Sequence, residues 1–441
     1  MRTPLPITST PARPRRIFFG WYIVFAGLLI QGVAYGGRYS FAVFFPTLLG
    51  EFGWPRDMTA SILSLHMLFY GLTAPVAGLA VDRFGTRKTM FFGTLLLTAG
   101  LALSGLGHAQ WHFYLSFGVL TGVGLCFLGS VPLTMVVRNW FERHRGVAIS
   151  LVYLGSSLAY GCYPAVDWLI SVFGWRMAFV VEGIIVLIVF TPVIFGIMYY
   201  HPSMKGLSRD GLDGRESQSH LLDREKARIV DQAWAATDWE LGKALKTARF
   251  WFCCLLTFSC WGVAYHLVST HQVAFAMDIG FTRASASEVL SFSALFFALG
   301  TMASLWSDRY GRETAMTVGT GSILIGIVAL MMAKSSGDAY LLLLFTLFMG
   351  FGYGLCVPVV ASVVTDIFQG PKVGVILGFI WFSFAMGGTI GPWLGGLLFE
   401  LFGNYQAAFA ITGVMFALGC GAVWLAAPRN IRLVPGRVKA Q

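Results

Sequence analysis

Apolar residues in this chain gather into long unbroken runs, without the spaced stripe of a surface helix or the alternation of a half-buried strand. Twelve runs can be placed, at 18–45, 59–81, 89–107, 112–137, 146–171, 176–200, 249–276, 286–307, 314–333, 339–367, 373–399 and 405–427. Each reaches the roughly 20 residues that a helix needs to cross a bilayer core. The pattern predicts an all-α integral membrane protein with twelve transmembrane helices. Residues 1–17 read as a tail, 18–200 as one six-helix bundle, 201–248 as a linker, 249–427 as a second bundle and 428–441 as a closing tail. No small-residue cleavage site follows the Pro- and Arg-rich start, so the first run is expected to remain as an anchor.

The two bundles repeat one another. Gly78-Leu-Ala-Val-Asp82-Arg83-Phe-Gly85-Thr-Arg87-Lys88 returns, weaker, as Ala303-Ser-Leu-Trp-Ser-Asp308-Arg309-Tyr-Gly311-Arg312, and 308 − 82 is 226 residues, about half of the 441. Pro132 and Pro358 keep the same offset inside related glycine-rich strings, 122–134 and 350–362. The strings at 141–150 and 368–378, and at 164–179 and 392–409, also correspond. Matches in register across a half-chain interval indicate duplication, and hence two pseudo-symmetric bundles with a cavity between them at the midplane.

Composition agrees: 56% of residues are hydrophobic and 12% charged, against roughly 25% charged in soluble domains. Lys and Arg set the orientation. Twenty-six of the 31 fall in the tails, the linker and alternate loops, while the opposite loops hold Arg56, Arg176, Arg283 and Lys334. Both termini and the linker are therefore expected in the cytoplasm. That asymmetry accounts for the net charge of +10, so no nucleic-acid partner is implied. Within the linker, Asp238 could cap an amphipathic helix, Trp239 to Phe250, lying on the inner membrane surface. The seven cysteines sit inside apolar runs without metal-ligand spacing and read as packing residues; no metal or cofactor is expected.

The Asp-Arg-x-Gly-x-Arg hairpin resembles the signature loop of the major facilitator superfamily, over essentially the whole chain. The strings at 20–54, 140–150 and 154–179 resemble the monocarboxylate transporter family and the related bacterial oxalate/formate exchangers. The resemblance implies the major facilitator fold and transport of an organic anion. It also implies departures. Those relatives carry a lysine directly before the Ser-x-x-Val-Phe-Phe stretch of span 1, where this chain has Tyr39, with Arg38 one place earlier. Their Asp-x-x-x-Arg pair of span 8 is replaced by Phe296 and Gly300, and span 11 lacks the exchangers' basic residue.

Polar groups inside spans are costly in lipid and mark the chemistry. Arg38 is the one Lys or Arg well inside a span, and its guanidinium can hold a carboxylate bidentately. Tyr39 flanks it, and Tyr70 in span 2 resembles a family tyrosine. Span 7 places His266, Ser269 and Gln272 on one face at intervals of three. These six are the expected substrate residues, with His266 the proton-coupling group. His66 reads as a packing residue and i, i+4 partner of Tyr70. Asp167 and Glu182 are expected to pair with Arg176 or to be hydrated at the interface, with proton carriage the alternative. Asp82, Arg83, Arg87, Asp308 and Arg309 are expected to form a conformational latch, in which a carboxylate holds a neighbouring helix N-terminus in one state only.

No HExxH, GxSxG or phosphate-binding loop occurs, so an enzyme or an ATP-driven pump is not indicated. The expected function is alternating-access transport of small organic monocarboxylates by proton symport. An organic-acid exchanger or exporter, or a facilitator of an aromatic or uncharged solute, is the alternative. The expected setting is a bacterial inner membrane, with the protein monomeric among its lipids.

Overall fold

The computed structural model describes residues 18–142, 144–211, 227–370 and 372–437. The tail 1–17, the polar centre of the linker at 212–226 and the last residues 438–441 lie outside the described residues. Eleven helical runs are long and apolar enough to span a membrane. They are α1 (Phe19–Phe52), α2 (Arg56–Phe84), α3 (Thr86–Gly105), α4 (Gln110–Trp140), a 53-residue run Arg145–Ile197, α7 (Ala248–Asp278), α8 (Arg283–Tyr310), α9 (Arg312–Met332), α10 (Ser336–Ile367), α11 (Val373–Phe402) and α12 (Gln406–Asn430). The 53-residue run breaks at Gly174, whose φ of 77° is not helical, into α5 before it and α6 after it. The total is twelve.

The duplication is visible in the backbone. Gly85 and Gly311, 226 apart, both take positive φ, 79° and 113°, where a side chain would be strained. Each turns the chain between two spans at the motif hairpin. Small residues set the close helix approaches. A Cβ on Gly155 would stand 2.1 Å from the Leu28 carbonyl oxygen, so α1 and α5 cross there. A Cβ on Gly387 would stand 2.8 Å from the Gly262 Cα, the corresponding crossing of α7 and α11.

The expected spans differ from the helices chiefly at two places. Helix α1 continues past 45 to Phe52 because Phe41, Phe44, Phe45 and Leu48 keep one face buried. Ser40 joins helical segments Phe19–Tyr39 and Phe41–Phe52, with helical φ and ψ of −54° and −26° and its N–H on the Gly36 carbonyl at 2.8 Å. The linker helix expected over Trp239 to Phe250 does not form. The chain instead makes a short turn at Leu241–Ala244, and then Thr247 caps α7 by accepting the Phe250 N–H at 3.3 Å. Asp238 caps nothing there, and Trp239 is buried against Trp234 and Phe368, 4.4 and 5.2 Å between ring centres. The linker's aromatic residues pack on the protein, so the amphipathic reading is corrected.

The halves meet along α2 and α11, and splay. Towards the side opposite the linker, a Cβ on Gly396 would lie 2.4 Å from the Asp57 nitrogen. Near mid-span, one on Gly71 would lie 2.2 Å from the Ala385 Cβ. Towards the linker side, Gly78 on α2 and Gly374 and Gly378 on α11 meet nothing within 4 Å. The contact is therefore tight on the far side and open on the linker side.

Candidate functional site

Arg38 ends the first segment of α1 and is 4% exposed. Its guanidinium Nη2 bonds Nε2 of His266, 228 residues away on the other half. Arginine can only donate, so Nε2 accepts and the imidazole proton sits on Nδ1. That Nδ1–H points at the carbonyls of Trp261 and Gly262, at 2.8 and 3.1 Å. These carbonyls belong to a π-helical stretch, Thr257–Ala264, and such local widening often accompanies a functional site. No acid lies within ion-pair distance of Arg38 among the described residues, and its Nε has no partner. It is a buried cation without a counter-charge.

Tyrosines surround it. The guanidinium carbon lies 5.6 Å from the ring centres of both Tyr35 and Tyr39. Tyr39 stacks on Tyr160 at 4.6 Å, and Tyr265 on Tyr353 at 3.9 Å. The Tyr160 and Tyr265 hydroxyls bond each other and join the halves. Tyr39 and Tyr265 are themselves 226 apart. A cavity of about 20 Å³ opens beside this pair, lined by Ser269, Gln272, Ser293 and Phe297 among others. That volume holds about one water molecule, too little for an organic solute.

The expected substrate residues are thus drawn together around one point. Tyr70 bonds Tyr35, hydroxyl to hydroxyl at 3.2 Å, and Tyr35 reaches Ser130 at 3.0 Å. Ser269 donates to the His266 carbonyl at 3.4 Å, and Gln272 donates to the Tyr163 hydroxyl at 3.0 Å across the halves. His66 is not a partner of Tyr70. Its Nδ1 meets Thr121 at 2.8 Å, and its buried Nε2 is unpartnered within electrostatic reach of Arg38. Sequence reasoning passed over Tyr160 and Tyr353. Their only signal was an aromatic residue between glycines, Tyr353 in the string 350–362 and Tyr160 in the string 154–179.

The hairpin residues divide. Asp308 pairs with Arg312 at 2.6 Å, and Arg312 also holds Asp366 at 3.0 Å, which a linker residue, Arg228, grips from the other side at 3.1 Å. Arg309 lies over the Tyr310 ring. In the first half, Asp82 and Arg83 are exposed, and Asp82 has a 3.4 Å bond from the Tyr200 hydroxyl. Arg87 stacks on Tyr199 at 3.9 Å and donates to the Met198 carbonyl. The ion-pair arrangement is built in one half and centres on Arg312 and Asp366.

On the far side, Arg56 binds Asp278 through two N–H groups at 2.7 Å each, donates to Tyr405 and lies 3.8 Å over the Phe399 ring. Arg283 binds Asp167, Thr47 and Ser171. Asp167 therefore pairs across the halves with Arg283, not with Arg176; Glu182 meets Ser40, and Arg176 sits 4.0 Å from Glu51. Among the described residues, the side-chain bonds between the two bundles lie at mid-depth or on this far side.

Comparison with known proteins bears on these features. The family model described as Major Facilitator Superfamily matches residues 27–380 and, overlapping, 278–439. Monocarboxylate transporter 13 of Bos taurus is 25% identical over 407 residues, covering 92% of this chain and 88% of that one. Monocarboxylate transporter 11 of Homo sapiens is 26% identical over 436 residues, with 96% and 86% covered. An uncharacterized MFS-type transporter, YcxA of Bacillus subtilis, is 21% identical over 391 residues, with 86% and 88% covered. Among solved structures, a bacterial homologue of the human lysosomal transporter Spinster, inward-facing and unoccupied, superposes with a TM-score of 0.65 at 15% identity. It covers 94% of this chain and 98% of its own, and shares the fold.

Proposed function

The chain belongs to the major facilitator superfamily, and on that premise we propose that this transporter moves small organic monocarboxylates by alternating access, together with a proton. One observation carries the reading: Arg38 is buried between the two bundles with no acid beside it among the described residues. A buried cation is tolerated when a partner is supplied, and a carboxylate has the charge and geometry to supply it here. Two relatives named as monocarboxylate transporters support the same class.

The Arg38–His266 bond suggests how a proton is tied to the anion. While Arg38 donates to Nε2, that nitrogen has no lone pair for a proton. A carboxylate that takes the guanidinium frees Nε2 to accept a proton. Anion and proton would load together as a neutral pair. An anion entering alone would meet about 2.3 kcal/mol per 100 mV of inside-negative potential. The Lys and Arg bias supports a cytoplasmic linker side, and the state described is then closed outside and open inside; the membrane we propose is a bacterial inner membrane. The chain would act as a monomer, each copy holding a complete site. The tyrosine shell favours an aromatic acid as a second reading within this class.

Proteoliposomes given a panel of labelled aliphatic and aromatic monocarboxylates decide the matter. Uptake of at least one that an inward proton gradient accelerates is expected. Sodium-dependent uptake, or uptake indifferent to pH, would exclude the coupling. No uptake of any acid would exclude the substrate class.

A further inference from the structure

Glu182 on α6 is a buried carboxyl that the transport cycle above does not use. No Lys, Arg or His is within ion-pair distance of it among the described residues. Its partner is Ser40, which joins the two helical segments of α1, two places after Arg38. Ser40 Oγ lies 3.1 Å from Glu182 Oε2 and 3.0 Å from the carbonyl oxygen of Gly37. A hydroxyl has one hydrogen, and here it faces two acceptors if Glu182 is ionised. One contact would then be a buried oxygen against oxygen without a proton, which is unfavourable. Both contacts are satisfied when Glu182 carries the missing hydrogen. Its carboxyl O–H donates to Ser40 Oγ, and the Ser40 O–H donates to Gly37.

We propose that Glu182 is a proton-binding positioning residue, which through Ser40 fixes the turn of α1 that carries Arg38. Loss of the proton to water leaves a carboxylate. The Ser40 hydroxyl then turns to it and releases the Gly37 carbonyl, so the turn holding Arg38 loses its brace. Every neighbouring element leaves this proton uncontested. From α5, the Cys162 thiol lies beside Glu182 and donates to the Gly36 carbonyl, Tyr163 is bonded to Gln272, and Asp167 is held by Arg283. From α3, Thr98 meets the Gly183 carbonyl and Leu101 packs against Gly183 and Gly37, neither titratable. From α1, Arg38 is turned to His266, Tyr39 is stacked on Tyr160, and Glu51 lies at the far end near Arg176.

The structural test needs no substrate. Parent protein in proteoliposomes at neutral pH should show a protonated-carboxyl C=O stretch in the infrared that disappears in Glu182→Gln. Ser40→Ala keeps Glu182 but removes its acceptor, and should move that band to higher wavenumber. A parent spectrum from which Glu182→Gln subtracts no such band overturns the proposal. A band that ignores Ser40→Ala overturns the route through Ser40, and stays readable if the Gln variant fails to fold. The consequence for transport rests on Arg38 as the anion clamp. Uptake of whichever labelled acid the panel identifies should fall at alkaline pH more steeply in the parent than in Glu182→Gln, which keeps only the fall that proton coupling itself imposes, and equal falls in both overturn the positioning role. Failure of the whole panel would reject the monocarboxylate reading, while the infrared result still judges Glu182.

Discussion

At the residue scale, Arg38 and His266 were each legible in the sequence, and their meeting was not. A lone arginine or histidine stands out inside an apolar run because lipid makes it costly. Nothing local says that residues 228 apart touch; that follows from how two bundles face each other. The replacement of the relatives' lysine by Tyr39, with Arg38 one place earlier, moves the cation about 100° around a helix. If Arg38 clamps a carboxylate, Arg38→Lys should keep partial transport as a point charge replaces a fork. Arg38→Gln should lose a charge-assisted bond of about 1.5–3 kcal/mol, weakening anion affinity by roughly 10- to 100-fold in binding measurements. Parental affinity in the Gln variant would remove Arg38 from the site. His266→Gln should retain exchange of labelled for unlabelled substrate yet lose accumulation driven by a pH gradient. Accumulation at the parental ratio would show that the proton travels elsewhere.

At the element scale, the spans were legible because length and hydropathy leave a membrane helix few alternatives, and the turns because glycine marks them. The linker was not. Its basic and apolar spacing suits a surface helix, but Thr247 offers the chain a helix start and Trp239 finds Trp234 and Phe368 to pack against. The latch was half legible for a similar reason. The motif names Asp308 and Arg309, whereas the charges that meet are Arg312, Asp366 and Arg228, from separate segments. The same close packing that hides such partners makes the glycine crossings testable. A Cβ on Gly354 of α10 would stand 2.1 Å from the Phe297 carbonyl oxygen of α8, and backbone cannot step aside as a side chain tip can. Gly354→Val should destabilise the second bundle by about 1–3 kcal/mol, read as a lower melting temperature in detergent. Gly421→Val on α12, where nothing lies within 4 Å, is the matched control and should melt like the parent. Equal melting of both variants would mean that α8 and α10 are not in contact at Gly354.

At the scale of the whole molecule, the 226-residue repeat announced two equivalent bundles but could not say which way they lean, since one sequence must serve every state of the cycle. The lean is set by pairs that the repeat does not share. Arg56 with Asp278 and Arg283 with Asp167 tie the bundles on the far side, while Gly78, Gly374 and Gly378 stand free on the linker side. These ties are partly exposed, at 17% and 34% for Arg56 and Asp278, so each contributes on the order of 1 kcal/mol. That strength suits the moving gate of the alternating access proposed above. It holds a state without trapping it, and losing both pairs shifts the balance by about 2 kcal/mol, roughly 30-fold. Spin labels on cysteines replacing Glu51 and Asn404, exposed far-side positions in opposite bundles, can read this balance. The parent should give a short distance distribution. Arg56→Gln combined with Arg283→Gln should add a longer population, and Arg56→Gln alone should add a smaller one. The ties act on population rather than on the anion clamp, so the double variant should also leave the Arg38 dependence of binding intact. An unchanged distance distribution in the double variant would show that the far side is held by the α2–α11 packing at Gly71, Gly388 and Gly396, and not by its charges.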